Sequence, residues 1–133
     1  MAEKNLQVLL SSMKPHLQSE EYVFCTVGKK EFASLSFAPL CVFHEEEGVT
    51  LIVEKQVAQN ASLQYSGSWA LITCTINSDL TAVGFLAAMS TALADAGIAV
   101  NAVSAYYHDH LFVPAARAQE ALQILQELSA PSD

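Results

Sequence analysis

Residues 69–84 read Trp69-Ala70-Leu71-Ile72-Thr73-Cys74-Thr75-Ile76-Asn77-Ser78-Asp79-Leu80-Thr81-Ala82-Val83-Gly84. The run from Trp69 to Ile76 alternates: Ala70, Ile72, Cys74 and Ile76 point one way, while Trp69, Leu71, Thr73 and Thr75 point the other. That period of two predicts a strand. Asn77-Ser78-Asp79 breaks it and supplies helix N-cap chemistry. The apolar run from about Leu80 to Ala96 predicts a helix, with Gly97 in the position that closes helices in the left-handed conformation.

The pattern extends in both directions. Ile98 to Ala105 reads as a strand, Tyr106 to His110 as a turn, and Leu111-Phe112-Val113 as a short returning strand. Pro114 is placed to start a helix whose apolar stripe is Ala118, Ala121, Leu122, Leu125 and Leu128. Upstream, Leu6, Leu9, Leu10 and Met13 recur at helical spacing until Pro15 stops them. Tyr22 to Val27 is β-branched and aromatic and reads as a strand ending at Gly28. Phe37–His44 and Thr50–Val53 predict two more strands around Glu45-Glu46-Glu47-Gly48, which reads as a solvated hairpin tip. Glu54 to Gln64 predicts a short helix. Ser66-Gly67-Ser68 is the most linker-like segment and divides the chain into units 1–65 and 66–133. The second reads β-α-β-β-α and the first α-β-β-β-α, an order that allows a strand to be lent between them. The fold class is therefore α+β, an antiparallel sheet covered by helices on one face.

Composition narrows the function. Of 133 residues, 52% are apolar and 15% charged, against about a quarter charged in ordinary domains. Disorder of the whole chain is excluded. Net charge is −8, with no basic surface for nucleic acid or for anionic lipid. Beyond Gln56 the charged residues are Asp79, Asp95, Asp109, Arg117, Glu120, Glu127 and Asp133. A half this apolar is expected to bury both faces of its elements, against the other half or another copy. No apolar stretch reaches the roughly 18 residues that span a bilayer. The first residues carry no secretory pattern, so the expectation is a cytoplasmic protein. Cys25, Cys41 and Cys74 sit in apolar runs without CxxC spacing and read as buried, reduced thiols.

Two segments resemble ACT domains. The first is Asn77 to Leu86 followed by Leu93-Ala94-Asp95-Ala96-Gly97-Ile98-Ala99-Val100-Asn101. The second, Val103 to Pro114, is similar to the ACT units of cytosolic arginine sensors and of small bacterial tandem ACT proteins. Met13-x-Pro15 with Tyr22 to Val27 resembles the degenerate first unit of those bacterial proteins. The resemblance implies ferredoxin-like βαββαβ units acting as a regulatory sensor for amino acids or other small ligands. It places the ligand at the loop between first strand and first helix, at an interface between units. Two features depart from that pattern. Many amino-acid-binding members carry a glycine where this chain has Asn77-Ser78-Asp79, and no stretch of these 133 residues reads as a catalytic or DNA-binding domain, so none is expected.

The chemistry of that loop fits such a ligand. At a helix N-terminus, Asn77, Ser78 and Asp79 would offer free N–H groups to a carboxylate, and Asp79 a negative charge to an ammonium. Plain capping by Ser78 and Asp79 is the alternative. Leu80 and Val83 belong to the beginning of the expected helix and Gly84 lies inside it, where a glycine costs about 1 kcal/mol relative to alanine and suggests close approach of a backbone or ligand, or core crowding. Asn101, on the strand face shared with Ala99 and Val103, reads either as a satisfied edge-strand asparagine or as a hydrogen-bonding group for a ligand or the equivalent strand of another copy. Ser104, Tyr106 and His108 complete the candidate binding set, the alternative for the Tyr106 to His110 cluster being a surface hairpin with aromatic packing. His108 and His110 could place two imidazoles on one side, but no third metal ligand is evident and no metal is expected. No nucleophile with its base and no phosphate loop is present, so no catalytic residue and no cofactor are expected. The reading is a non-catalytic regulatory module binding a small molecule, the expected partners being an amino acid and a second copy in a homodimer or higher oligomer. The alternative is a ligand-free interaction module that oligomerises or docks on a partner enzyme.

Overall fold

A computed structural model describes residues 2–130. Met1 and residues 131–133, at the outer ends of the two expected units, lie outside the described residues. The elements are α1 (Leu6–Ser12), β1 (Pro15–Val27), α2 (Lys29–Ala33), β2 (Cys41–His44), β3 (Val49–Glu54) and α3 (Lys55–Asn60). They continue with β4 (Trp69–Cys74), α4 (Phe85–Asp95), β5 (Asn101–Ser104), β6 (Asp109–Pro114), a 3₁₀ turn (Ala115–Arg117) and α5 (Ala118–Ser129).

These elements form two compact units that are not consecutive along the chain. Among the described residues, one comprises 2–19 with 70–130, the other Glu20–Trp69. The long strand β1 begins in the first and ends in the second. In the first unit the strand order is β1, β4, β6, β5, so residues 15–19 supply the strand beside β4. β5 runs antiparallel to β6, with Asn101 opposite Phe112 and Ser104 opposite Asp109. In the second unit the order is β2, β3, β1, with both neighbours of β3 antiparallel to it. This is the α+β, ferredoxin-like layout.

The core of the first unit lies on one sheet face. Ala70, Ile72 and Cys74 of β4 and Leu111 and Val113 of β6 meet Leu9 of α1, Phe85, Met89 and Leu93 of α4, and Ala121 and Leu125 of α5. Burying each large side chain contributes about 1.5–3 kcal/mol. The alternation expected along β4 therefore holds for this face. Leu71 and Thr73, on the opposite face, are buried as well. Thr73 stays satisfied because its hydroxyl accepts from Gln18 Nε2 at 3.2 Å and pairs with His110 Nδ1 at 3.0 Å. In the second unit Val23, Cys25 and Val27 of β1 pack with Val49, Leu51 and Val53 of β3 and Ala58 of α3. The three cysteines are free; Cys25 and Cys74 are buried and Cys41 half-buried. Burial pushes the Cys74 thiol up to about 12.

Several elements differ from expectation. α4 begins at Phe85 rather than Leu80, because Gly84 takes φ +93° as its N-cap and residues 80–84 form turn and loop. Gly84 is thus not inside a helix; its backbone conformation, which a Cβ disfavours, is what calls for glycine. α5 begins at Ala118, since Pro114 ends β6 and leads into the 3₁₀ turn. α2 was not anticipated; it is five residues long, with Glu31 Oε1 accepting from the Gly28 N–H at 3.4 Å. β1 starts at Pro15, earlier than Tyr22. β2 is limited to Cys41–His44 and β5 to Asn101–Ser104, both shorter than the expected strands, and α3 ends at Asn60. Gly97 does sit at φ +73° just beyond α4, and Arg117 Nη2 donates to the Ala96 carbonyl there at 3.1 Å.

Candidate functional site

The loop from Thr75 to Gly84 is organised by its own hydrogen bonds and by the N-terminal segment. The Glu3 N–H donates to the Asn77 carbonyl at 3.0 Å, and the Asp79 N–H donates to the Glu3 carbonyl at 2.7 Å. Asp79 Oδ1 accepts from the Thr81 N–H at 2.8 Å and from the Thr81 hydroxyl at 2.5 Å. This is cap-type side-chain chemistry closing a turn, and it corrects the expectation that Asn77, Ser78 and Asp79 start a helix. The two Thr81 hydrogen bonds, hydroxyl first, hold the Asp79 carboxyl below the usual carboxylate range.

The helix end itself lies five residues further on. The first bond inside α4 runs from the Ala88 N–H to the Gly84 carbonyl at 2.8 Å, and no side chain caps the helix. The N–H groups of Phe85, Leu86 and Ala87 precede that bond, at the positive end of the helix dipole. Beside them opens a cleft of about 180 Å³ lined by Ser78, Asp79, Leu80, Ala82, Phe85, Leu86, Ser104, Ala105 and Asp109.

Asp109 is the residue that reading the sequence missed. It is 6% exposed at the first position of β6, opposite Ser104. Its carboxylate accepts from the Ser104 hydroxyl at 2.5 Å and from the Ser78 hydroxyl at 3.3 Å. Among the described residues, no Lys or Arg lines the cleft. Ser78 and Ser104 were expected to contribute, and here they meet on one carboxylate. The signal that could have found Asp109 is its place as the last charged residue before an apolar strand.

A second cleft, of about 400 Å³, is lined by Ala2, Asn77, Ser78, Asp79, Leu80, Tyr106 and Tyr107. The residues 78–80 border both. Of the remaining candidates, Val83 is 84% exposed and, like Gly84, Asn101 and His108, lines neither cleft. Asn101 lies exposed at the start of the edge strand β5. His108 instead ties two loops together, its Nδ1 3.2 Å from the Ile76 carbonyl. The His108 and His110 rings stand 6.4 Å apart between centroids. Among the described residues no group of three or more His, Cys, Asp or Glu is placed to hold a metal ion, and no helix is long and apolar enough to cross a membrane.

Within the α+β layout, a small cleft with a buried carboxylate on its wall thus lies beside an uncapped helix start. Models of the ACT domain match residues 1–70 and residues 65–127. The chain belongs to the ACT domain family, whose members are regulatory, ligand-binding modules. Among solved structures, a Vibrio cholerae protein of unknown function, described as a possible transport protein, is 46% identical over 96% of this chain and 98% of its own, with a TM-score of 0.82. The regulatory subunit of aspartate kinase from Thermus thermophilus, in ligand-free form, shares the fold with a TM-score of 0.69 at 15% identity, over 88% of this chain and 98% of its own. E. coli aspartokinase III, solved with aspartate and ADP, matches over 86% of this chain and 32% of its own at 13% identity, with a TM-score of 0.62. No curated protein matches the chain.

Proposed function

We propose that the chain is a non-catalytic, cytoplasmic regulatory module that binds an α-amino acid in the cleft between the 77–84 loop, the start of α4 and the β5–β6 hairpin. The observation that carries this reading is Asp109, a carboxylate 6% exposed with hydroxyl donors alone at hydrogen-bonding distance in the structure described. A buried anion of this kind favours a cationic partner. An α-ammonium on Asp109 leaves the α-carboxylate to the N–H groups of Phe85 and Leu86, where the helix dipole favours negative charge. Ser78 and Ser104 orient the Asp109 carboxylate. Asp79, the ammonium acceptor suggested by sequence, is engaged by Thr81. Asn77, Leu80 and Tyr106 shape the entrance, while Val83, Gly84, Asn101 and His108 act through the conformation of their segments rather than by contact. The aspartate kinase neighbours, one described as a regulatory subunit and one as an aspartokinase solved with aspartate and ADP, support a role in controlling an enzyme. A thermal-shift screen of the twenty amino acids tests the reading: a ligand at 100 times its Kd stabilises by about 2.7 kcal/mol. No change in melting temperature with any of them contradicts it.

A second reading is favoured by a different observation. Leu80, Tyr106 and Tyr107 border one cleft and are largely exposed, Tyr106 by 73%. Exposed aromatic and aliphatic groups brought together in this way suit a protein contact. That supports a homodimer, a higher oligomer or a docked partner enzyme. Light scattering on the purified chain distinguishes these from a monomer, and a Tyr106→Ser, Tyr107→Ser variant that leaves the mass unchanged removes this surface from the contact.

A further inference from the structure

We infer that the ligand of the Asp109 cleft carries a short, uncharged, aliphatic side chain, and that Ala105 limits its length. This rests on the reading of the cleft as an α-amino-acid site and specifies the class of amino acid. At about 180 Å³ the cleft lies below the roughly 300–1,000 Å³ of pockets for larger ligands. With the ammonium on Asp109 and the carboxylate at the Phe85 and Leu86 N–H groups, the walls left for the side chain include, besides Asp79, the residues Leu80, Ala82, Leu86 and Ala105. The last four are apolar, and contact with them favours methylene and methyl groups.

Charge excludes the other classes. A second carboxylate on the ligand would face Asp79 and Asp109, both on the cleft wall, with no cationic side chain there to receive it. A long cationic side chain would shed hydration along Leu80 and Leu86 before it reached Asp79. Asp79 Oδ1 is moreover held by both Thr81 donors. Ala105 lies at the turn of the β5–β6 hairpin, where its N–H donates to the His108 carbonyl at 3.0 Å. A larger residue there would occupy cleft volume.

The test is calorimetric titration of the full chain with glycine, alanine, valine, leucine, aspartate and lysine. Affinity is expected to rise about fourfold per buried methylene from glycine towards valine, with aspartate and lysine weaker than alanine. Ala105→Leu should bring valine and leucine down to the level of alanine while glycine is unchanged, with an unaltered circular dichroism spectrum. Tightest binding of aspartate or lysine, abolished by Asp109→Asn, would overturn the aliphatic assignment and leave the amino-acid site standing. Binding of none of the six at millimolar concentration overturns both. Valine binding that is indifferent to Ala105→Leu removes Ala105 as the size limit, and the ligand series alone still decides the class.

Discussion

Gly84→Ala reverses sign between two placements of α4. Within a helix, as the apolar run from Leu80 suggests, the change would stabilise the chain by about 1 kcal/mol. In the structure Gly84 is the N-cap at φ +93°, ψ −11°, and a Cβ in the left-handed region costs about 1–2 kcal/mol. The added atom meets Leu6 Cδ2 at 3.4 Å and nothing nearer, an ordinary contact. The expected loss is therefore conformational, without a steric surcharge. For a chain of this size about 1 kcal/mol moves the melting temperature by roughly 3–5 °C, so the expected fall is about 3–10 °C. Urea unfolding followed by far-ultraviolet circular dichroism gives the free energy directly. An unchanged or raised stability would refute the start of α4 at Phe85, and with it the N–H groups assigned to the cleft.

Three further outcomes follow from the same structure. Leu9→Ala removes a side chain of 0% exposure from the core of the first unit and is expected to cost about 2–5 kcal/mol, measured by urea midpoint. A fragment beginning at Ser66 lacks Leu9, Met13 and Leu17, which pack in that core, and is expected to lack a cooperative unfolding transition; a sharp transition would show that residues 1–19 are dispensable. Burial first, and His108 second, hold the His110 imidazole below its ordinary 6.5. The unfolded chain then binds the proton more readily, so the contribution of His110 is present above pH 6.5 and is lost as pH falls through the lower folded value. His110→Gln should flatten the urea midpoint against pH in that acidic window.

The β4 strand and the α+β class were legible because apolar alternation over Ala70, Ile72 and Cys74 reflects a real one-sided core. The helix start was not, for a physical reason. Asp79 does cap a backbone N–H, but that of Thr81 in a turn, and cap chemistry looks the same in sequence whether a helix or a turn follows. The first half of β1 was hidden by its polar residues His16, Gln18, Ser19, Glu20 and Glu21, which break the β-branched signature. Its membership of two units depends on contacts across more than fifty residues, such as that of Gln18 with Thr73, which local pattern does not encode. Asp109 was missed for a related reason: its burial and its two serine partners come from the register of β5 on β6 and from the return of the Ser78 loop. Ser78 and Ser104 were within reach because they flank recognisable elements.

Asp109→Asn, titrated by calorimetry against the amino acid that most raises the wild-type melting temperature, tests the central claim most directly. The substitution keeps the size of the side chain and removes the charge; Asn Oδ1 still accepts from one serine hydroxyl, while its amide N–H donates to the other serine oxygen, whose hydroxyl must turn. Losing one partner of a buried ammonium–carboxylate pair costs about 2 kcal/mol or more, so Kd should weaken at least roughly thirtyfold with the fold intact. Wild-type affinity retained in Asp109→Asn would contradict the account.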